Sequence, residues 1–498
     1  MTVESDNNNL IEESILPITN KNRTVGMFGY FSIWVGIVVM IVAYQFGGNA
    51  VASHSLAVSM VIILLAYFTI GVVMLMSADI GTEHGLSFAV YLRAPFGING
   101  THLPVVSRGI VAAAWFGIQT YLGALALNGI FEYLSGYSNW FLWYILFAAV
   151  QIINTMLGIK AVERFANLAA PILIGISVWM YFYLDGLAQL GGHNIWTFVG
   201  TENTPLLLIF MANLSLWAAL AVDVPNISRY IKVTSGNKKF FKRNKNIFAA
   251  QIIALPVLSA FMAFIGAIAF IATGNWNPIT IIQENQGGLV LIGLLALVTI
   301  AQWSTNTAAN LIPATLAFVN ALAPRMSYKM GVILAGVVGT ATMPWLILDH
   351  LFTFLGFYGG ALSAVAGIMI CDYFLIRRRR INIPELFQRD GQYRYMKGYN
   401  PAGLIAWVVA GAIAIKFLSI AYLVGLPLGF IIYYLLMKFW IIPKYPQAEI
   451  DSNYDDRYLS TSVNQDWVYT DNGFVREKYD QKVKETDEAL APNPVQID

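Results

Sequence analysis

The run Ala301-Gln-Trp-Ser-Thr-Asn-Thr-Ala-Ala-Asn310 sets small polar residues inside a stretch otherwise apolar enough to lie in a bilayer. A hydroxyl or carboxamide at hydrocarbon depth must be satisfied by another helix, an ion, a ligand or water, so this cluster marks a candidate pathway. Ala301, Ser304 and Thr305 fall at i, i+3 and i+4 and therefore share one helical face. Two hydroxyls and a backbone carbonyl on that face suit a hard cation, which takes oxygen ligands. Helices broken near the membrane midplane supply spare carbonyls to complete such a shell, and Gly36, with Val39 one turn on, is the candidate source in the first apolar stretch. Taken singly, hydroxyls in membrane helices more often bond the carbonyl one turn earlier or a neighbouring helix. The shared face is what favours a cation.

A second constellation points to a planar ligand. Trp115 and Gln119 are four residues apart and lie on one helical face. An indole face stacks on a heterocycle, and a carboxamide offers both a donor and an acceptor to the N–H and C=O edge of an imide, urea or amide ring. Any one such pair, met at random, is more often a packed Trp beside a bridging Gln. The case strengthens because Trp217 is placed to cover the opposite face of a ring and Asn310 supplies a second carboxamide. A charged amino acid or phosphate would find no counter-ion among these four residues, so the expected cargo is uncharged.

Composition defines the elements that must position these groups. With 57% hydrophobic and 12% charged residues, the chain is a polytopic membrane protein. Long, continuously apolar runs near 27–48, 55–77, 104–134, 139–158, 164–185, 205–223, 247–273, 287–312, 329–348, 350–370, 401–420 and 422–441 predict 12 transmembrane helices, and their length excludes a barrel. Alternate loops are basic, with Lys21, Arg93, Arg108, Lys160, Arg229, Lys238 and Arg377 among their charges, whereas loops 49–54, 135–138, 186–204 and 274–286 hold no Lys or Arg. Both termini are thus expected in the cytoplasm of a multi-pass plasma-membrane protein. The basic clusters reflect topology and anionic lipid, and no nucleic-acid partner or partner protein is called for. Residues 1–26 read as a cytoplasmic tail without a cleavable signal, 371–400 as a basic cytoplasmic loop, and 446–498 as a disordered cytoplasmic tail. Cys371 is the sole cysteine, which excludes an intrachain disulfide.

The coupling chemistry follows from where charge is missing. Glu132, Glu163, Asp223, Asp349, His350 and Asp372 all fall near expected helix ends, leaving mid-membrane almost without a titrating group. That favours sodium held by neutral oxygens over a proton. The alternatives are a proton-coupled permease using Asp223 or Asp349, and a passive channel or facilitator. An enzyme is disfavoured, because no nucleophile with a partner base, ligating His cluster or phosphate-cradling Gly loop occurs in the spans, and no cofactor is implied.

At several blocks in order the chain resembles the class-one nucleobase:cation symporters, and within them the sodium:hydantoin carriers. The blocks are Arg93-Ala-Pro-Phe-Gly-Ile98, Trp115-Phe-Gly-Ile-Gln-Thr120 with Leu122-Gly-Ala-Leu-Ala-Leu127, Trp303-Ser-Thr-Asn-Thr-Ala-Ala-Asn310, and Ala366-Gly-Ile-Met-Ile-Cys-Asp-Tyr-Phe374 leading into Arg377 to Arg380. The resemblance implies an all-α, leucine-transporter-like fold: inverted five-helix repeats at 27–185 and 205–370, with two C-terminal helices at 401–441. It assigns substrate contacts to Trp115, Gln119, Trp217 and Asn310, and sodium ligands to the carbonyls of Gly36, Val39 and Ala301 and the hydroxyls of Ser304 and Thr305. Met40 stands where the hydantoin carriers have a glutamine, and Leu216 replaces a glycine beside the covering Trp, which implies a different substituent preference. Leu355 matches a gate position. An ideal helix at 100° per residue aims Asn310 roughly opposite Ala301, Ser304 and Thr305, so either two faces serve two sites or the helix is distorted there.

Overall fold

The computed structural model describes residues 10–451 and 455–479. Every apolar run expected to span the membrane contains helix. Seven helices are long and apolar enough to cross a bilayer: Leu56–His84, His102–Ser135, Leu206–Asp223, Lys245–Thr273, Gly288–Leu322, Leu351–Ile376 and Leu418–Lys444. Met27–Val38 and Ile41–Val51 form a further, bent pair, and Trp140–Met156, Tyr328–Thr340 and Pro401–Lys416 are shorter apolar helices. Ile159–Leu190 completes the set. Leu64, Leu65, Phe68 and Val72 face outward along one long helix; an apolar outer surface of this kind is solvated by lipid rather than water.

Two groups of helices pack against each other. In the first, Ile41–Val51 lies along Leu255–Thr273, and Leu56–His84 lies along both Leu206–Leu216 and Leu255–Thr273. Glycines set the closest approach here, since a side chain on Gly47 would meet the backbone of Ala263 and one on Gly266 the backbone of Tyr44. In the second group, His102–Ser135 packs on Trp140–Met156, Gly288–Asn306, Ile312–Leu322 and Tyr328–Thr340. Two of the apolar helices are interrupted. Met27–Val38 and Ile41–Val51 meet at 57°, with Met40 in extended backbone; Leu206–Leu216 gives way at Trp217 to Ala218–Asp223.

The arginines that orient the chain are also structural. Arg243 is wholly buried and pairs with Asp79 and, at 2.8 Å, with Glu83. Arg379 reaches both carboxylates at 3.0 Å, and Arg377 binds Asp372 at 2.8 Å and also Glu449.

The tail expected to be disordered from 446 is folded through its described part, as far as residue 479. Gln465–Thr470 and Gly473–Lys478 form an antiparallel hairpin, the one sheet among the described residues. Polar contacts replace the missing aliphatic core. The Glu83 carboxylate accepts from the amides of Ser460 and Ser462, at 2.9 and 3.2 Å, and from the Ser462 hydroxyl at 2.7 Å. The Asn20 amide donates to Asp466 at 2.7 Å. The N-terminal segment at Asn20 and the described part of the tail therefore dock on the side that carries the basic loops.

Candidate substrate and cation site

Between the two helix groups lies a cavity lined by Met40, Arg108, Trp115, Gln119, Leu216, Trp217, Thr305 and Asn310 with Ala219, Leu220 and Ala309. All six residues expected to touch the ring, including Met40 and Leu216, are brought together on its walls. None is more than 6% exposed, so the walls lie deep within the protein. Met40 enters because the helix breaks at that residue, Trp115 and Gln119 project from one face of His102–Ser135, and Leu216 and Trp217 come from the second interruption.

The Gln119 amide donates to the Met40 sulfur at 3.5 Å, while its oxygen has no partner. A buried carboxamide oxygen left bare is costly, and a ligand N–H can satisfy it. The Phe354 ring sits against Trp115, with centroids 6.2 Å apart. Tyr358 donates its hydroxyl to the carbonyls of Ser215 at 3.1 Å and Leu216 at 3.3 Å, which the interruption at Trp217 leaves open. Leu355, between them in sequence, is buried but does not line the cavity.

Among the cation candidates, Thr305 reaches the first break. Thr305 donates to the carbonyl of Gly36 at 2.6 Å and comes within 3.3 Å of that of Val39. Those carbonyls are free because Val38 ends the helix and Met40 leaves helical backbone. Other hydroxyls nearby follow the ordinary habit: Thr299, Thr307 and Thr315 bond the carbonyl one turn earlier. Thr305 instead crosses to another helix, and Ser304 is buried with no side-chain hydrogen bond to any described residue. Ala301 and Val39 share the wall of an adjoining cavity. The set offers only neutral oxygens, a donor chemistry that fits a sodium ion.

The opposed directions expected for Thr305 and Asn310 are reconciled by the backbone. Thr307–Leu311 is a π-helical turn, which inserts a residue relative to α spacing. Both side chains consequently face one cavity. Behind Asn310 stands a buried polar network that sequence reasoning missed. Asn310 donates to Asn306 at 2.9 Å, and the Asn306 Nδ2, with two hydrogens to give, lies 2.8 Å from the Gln151 oxygen and 3.0 Å from both the Thr120 hydroxyl and the Phe116 carbonyl. It fixes the carboxamide while leaving the Asn310 oxygen open.

One expectation is corrected. The cavity wall does carry a cation, Arg108, which lies 2.9 Å from the fully buried Asp223. The two charges compensate, so the site remains neutral as a unit.

The chain matches, over residues 17–437, the family described as permeases for cytosine/purines, uracil, thiamine and allantoin. It is 31% identical over 462 residues to a hydantoin permease of Microbacterium maritypicum, covering 90% of this chain and 93% of that one. It is 26% identical to an allantoin permease of Bacillus subtilis, covering 87% and 94%. Among solved structures, the nucleobase-cation-symport-1 transporter Mhp1, closed with bromovinylhydantoin bound, superposes with a TM-score of 0.83 at 30% identity, covering 88% of this chain and 98% of that one. Its inward-facing form gives 0.79 at 29% identity, covering 89% and 97%.

Proposed function

The chain belongs to the nucleobase-cation-symport-1 family of permeases, and from that premise we propose that it is a secondary active symporter importing an uncharged planar nitrogen heterocycle, of hydantoin, allantoin or nucleobase type, together with sodium. The observation that carries the reading is the double duty of Thr305. Its side chain binds the carbonyls at the first helix break and also lines the cavity walled by Trp115, Gln119, Trp217 and Asn310. In this reading the ring stacks between the two indoles, with Gln119 and Asn310 reading its polar edge. Sodium is held by the carbonyls of Gly36, Val39 and Ala301 and the hydroxyls of Ser304 and Thr305, which ties the broken helix to Gly288–Leu322.

Coupling then follows from geometry. Val39 is adjacent to Met40, a cavity wall, so ordering the break for the ion also orders the surface that meets the ring. By linkage each ligand raises the affinity of the other by the same factor. The two helix groups rock around this midplane site to expose it to either side. The Leu351–Ile376 helix, with Phe354 on Trp115 and Leu355 packed behind it, is the outer closure. The membrane is the plasma membrane, with both termini in the cytoplasm.

Proteoliposome uptake of labelled hydantoin, allantoin, uracil and cytosine tests the reading. Accumulation driven by an inward sodium gradient and abolished when choline replaces sodium is the expected result. A second reading, proton coupling, is favoured by the position of Asp223 one ion pair from the cavity. Accumulation driven by a pH gradient without sodium would select it, and equilibration without accumulation would select a facilitator.

A further inference from the structure

Arg108 precedes Trp115 by seven residues, so it lies two turns along the same helical face as Trp115 and Gln119. It is 2% exposed and lines the cavity. Its guanidinium is held on two sides: Nε donates to the Ala219 carbonyl at 2.8 Å, and Nη2 donates to the Ala309 carbonyl at 3.3 Å and faces Asp223 at 2.9 Å. Nη1, in contrast, has no hydrogen-bond partner. A buried guanidinium N–H without an acceptor is strongly disfavoured, and the other fork of this group is already committed to protein. The acceptor that Nη1 lacks can come from a ligand in the cavity.

We propose that Arg108 is a specificity-determining residue that donates from Nη1 to an exocyclic carbonyl oxygen of the transported ring, with Asp223 as the positioning residue that holds the guanidinium in place. The proposal rests on the reading of the cavity as the heterocycle site. It adds a charged donor to the carboxamides of Gln119 and Asn310, and it selects rings by the strength of an acceptor rather than by size. Asp223 compensates the charge, so a neutral carbonyl suffices and no anionic substituent is needed. The Ala309 carbonyl that anchors Nη2 belongs to the π-helical turn that also turns Asn310 inward. The two polar readers of the ring therefore share one backbone support.

The test exchanges the acceptor on the ligand and the donor on the protein. Calorimetric titrations at saturating sodium compare hydantoin with 2,4-dithiohydantoin, and uracil with 2,4-dithiouracil, because sulfur is a much weaker acceptor than oxygen. The parent is expected to prefer the oxo ring by about tenfold or more, the scale of one hydrogen bond to a charged group. In Arg108→Gln that preference shrinks at least about fivefold. Arg108→Lys keeps the charge opposite Asp223 but lacks the planar fork, and it shows the same loss while guarding against a folding failure in the Gln variant. A parent that binds the oxo rings with an oxo-to-thio preference unchanged in both variants overturns the role of Arg108 alone. The comparison is made on whichever of hydantoin, uracil, allantoin and cytosine the parent binds, against its thio analogue, and a parent that binds none of the four overturns the functional reading beneath it.

Discussion

Thr305 and Ser304 separate from Gln119 and Asn310 by what each pair is expected to lose. Replacing Thr305 with Ala removes its hydrogen bonds to Gly36 and Val39 and one oxygen of the proposed cation shell; replacing Ser304 removes a hydroxyl that bonds to no other described side chain or carbonyl. Either change is expected to weaken sodium binding about tenfold or more. Ring affinity then falls at low sodium and recovers as sodium is raised, which a sodium titration of ring binding reads directly. Ring affinity equal to the parent's at every sodium concentration would remove these residues from the site. Gln119→Ala and Asn310→Ala should instead weaken the ring about tenfold to a hundredfold at saturating sodium, with the sodium midpoint little changed; unaltered ring dissociation constants in both would sink the pocket assignment. At this scale most of the site was legible, because Trp115, Gln119, Trp217 and Asn310 are unusual in apolar helices. Arg108 was not, since a charge near a helix end reads as an orienting loop residue even though its seven-residue spacing from Trp115 carried the signal. Asn306 was within the polar run but had no partner visible in sequence; Gln151 lies more than a hundred and fifty residues away from it in the chain.

At the level of elements, the deciding features are local departures from α geometry. The π-helical turn at Thr307–Leu311 lets one helix present Thr305 and Asn310 to the same cavity. Deleting Ala308 would remove the extra residue and leave Asn310 four places after Thr305, about 40° away around an α-helix and on the same face. The expected outcome is ring affinity close to the parent's, with helical content by circular dichroism unchanged; ring binding as weak as in Asn310→Ala would show that the extra residue is not what sets the direction of the carboxamide. This distortion left its trace in sequence only as a contradiction between two expected directions. The break at Val39 and Met40 left less. Neither residue is Gly or Pro, and the carbonyls that the break frees are met by Thr305 from a distant helix, a tertiary partner that no local pattern encodes.

The whole molecule closes on the side of the basic loops, where the folded tail crosses Leu56–His84 at Glu83 and meets the N-terminal segment at Asn20. Removing residues 455–498 deletes three hydrogen bonds to the Glu83 carboxylate, bonds of the kind that contribute about 1.5–3 kcal/mol each. The truncated protein is expected to melt at a lower temperature while its ring affinity at saturating sodium is kept; an unchanged melting temperature would mean that the tail adds nothing to the fold. The membrane class and the long helices were legible from apolar length; short helices such as Pro278–Asn285, in a stretch read as a loop, were not. The described tail was not, because it is held by hydrogen bonds to buried carboxylates and by a few scattered aromatic contacts, such as Phe474 on Phe387, rather than by an aliphatic pattern. The central claim, that ring and sodium share Thr305 and so bind as one unit, is tested most directly by tryptophan fluorescence of the purified protein titrated with hydantoin, allantoin, uracil and cytosine, each in sodium and again in choline. Quenching by one ring with an apparent affinity that rises with sodium is the predicted result; quenching of equal affinity in both salts, or by no ring at all, would contradict it.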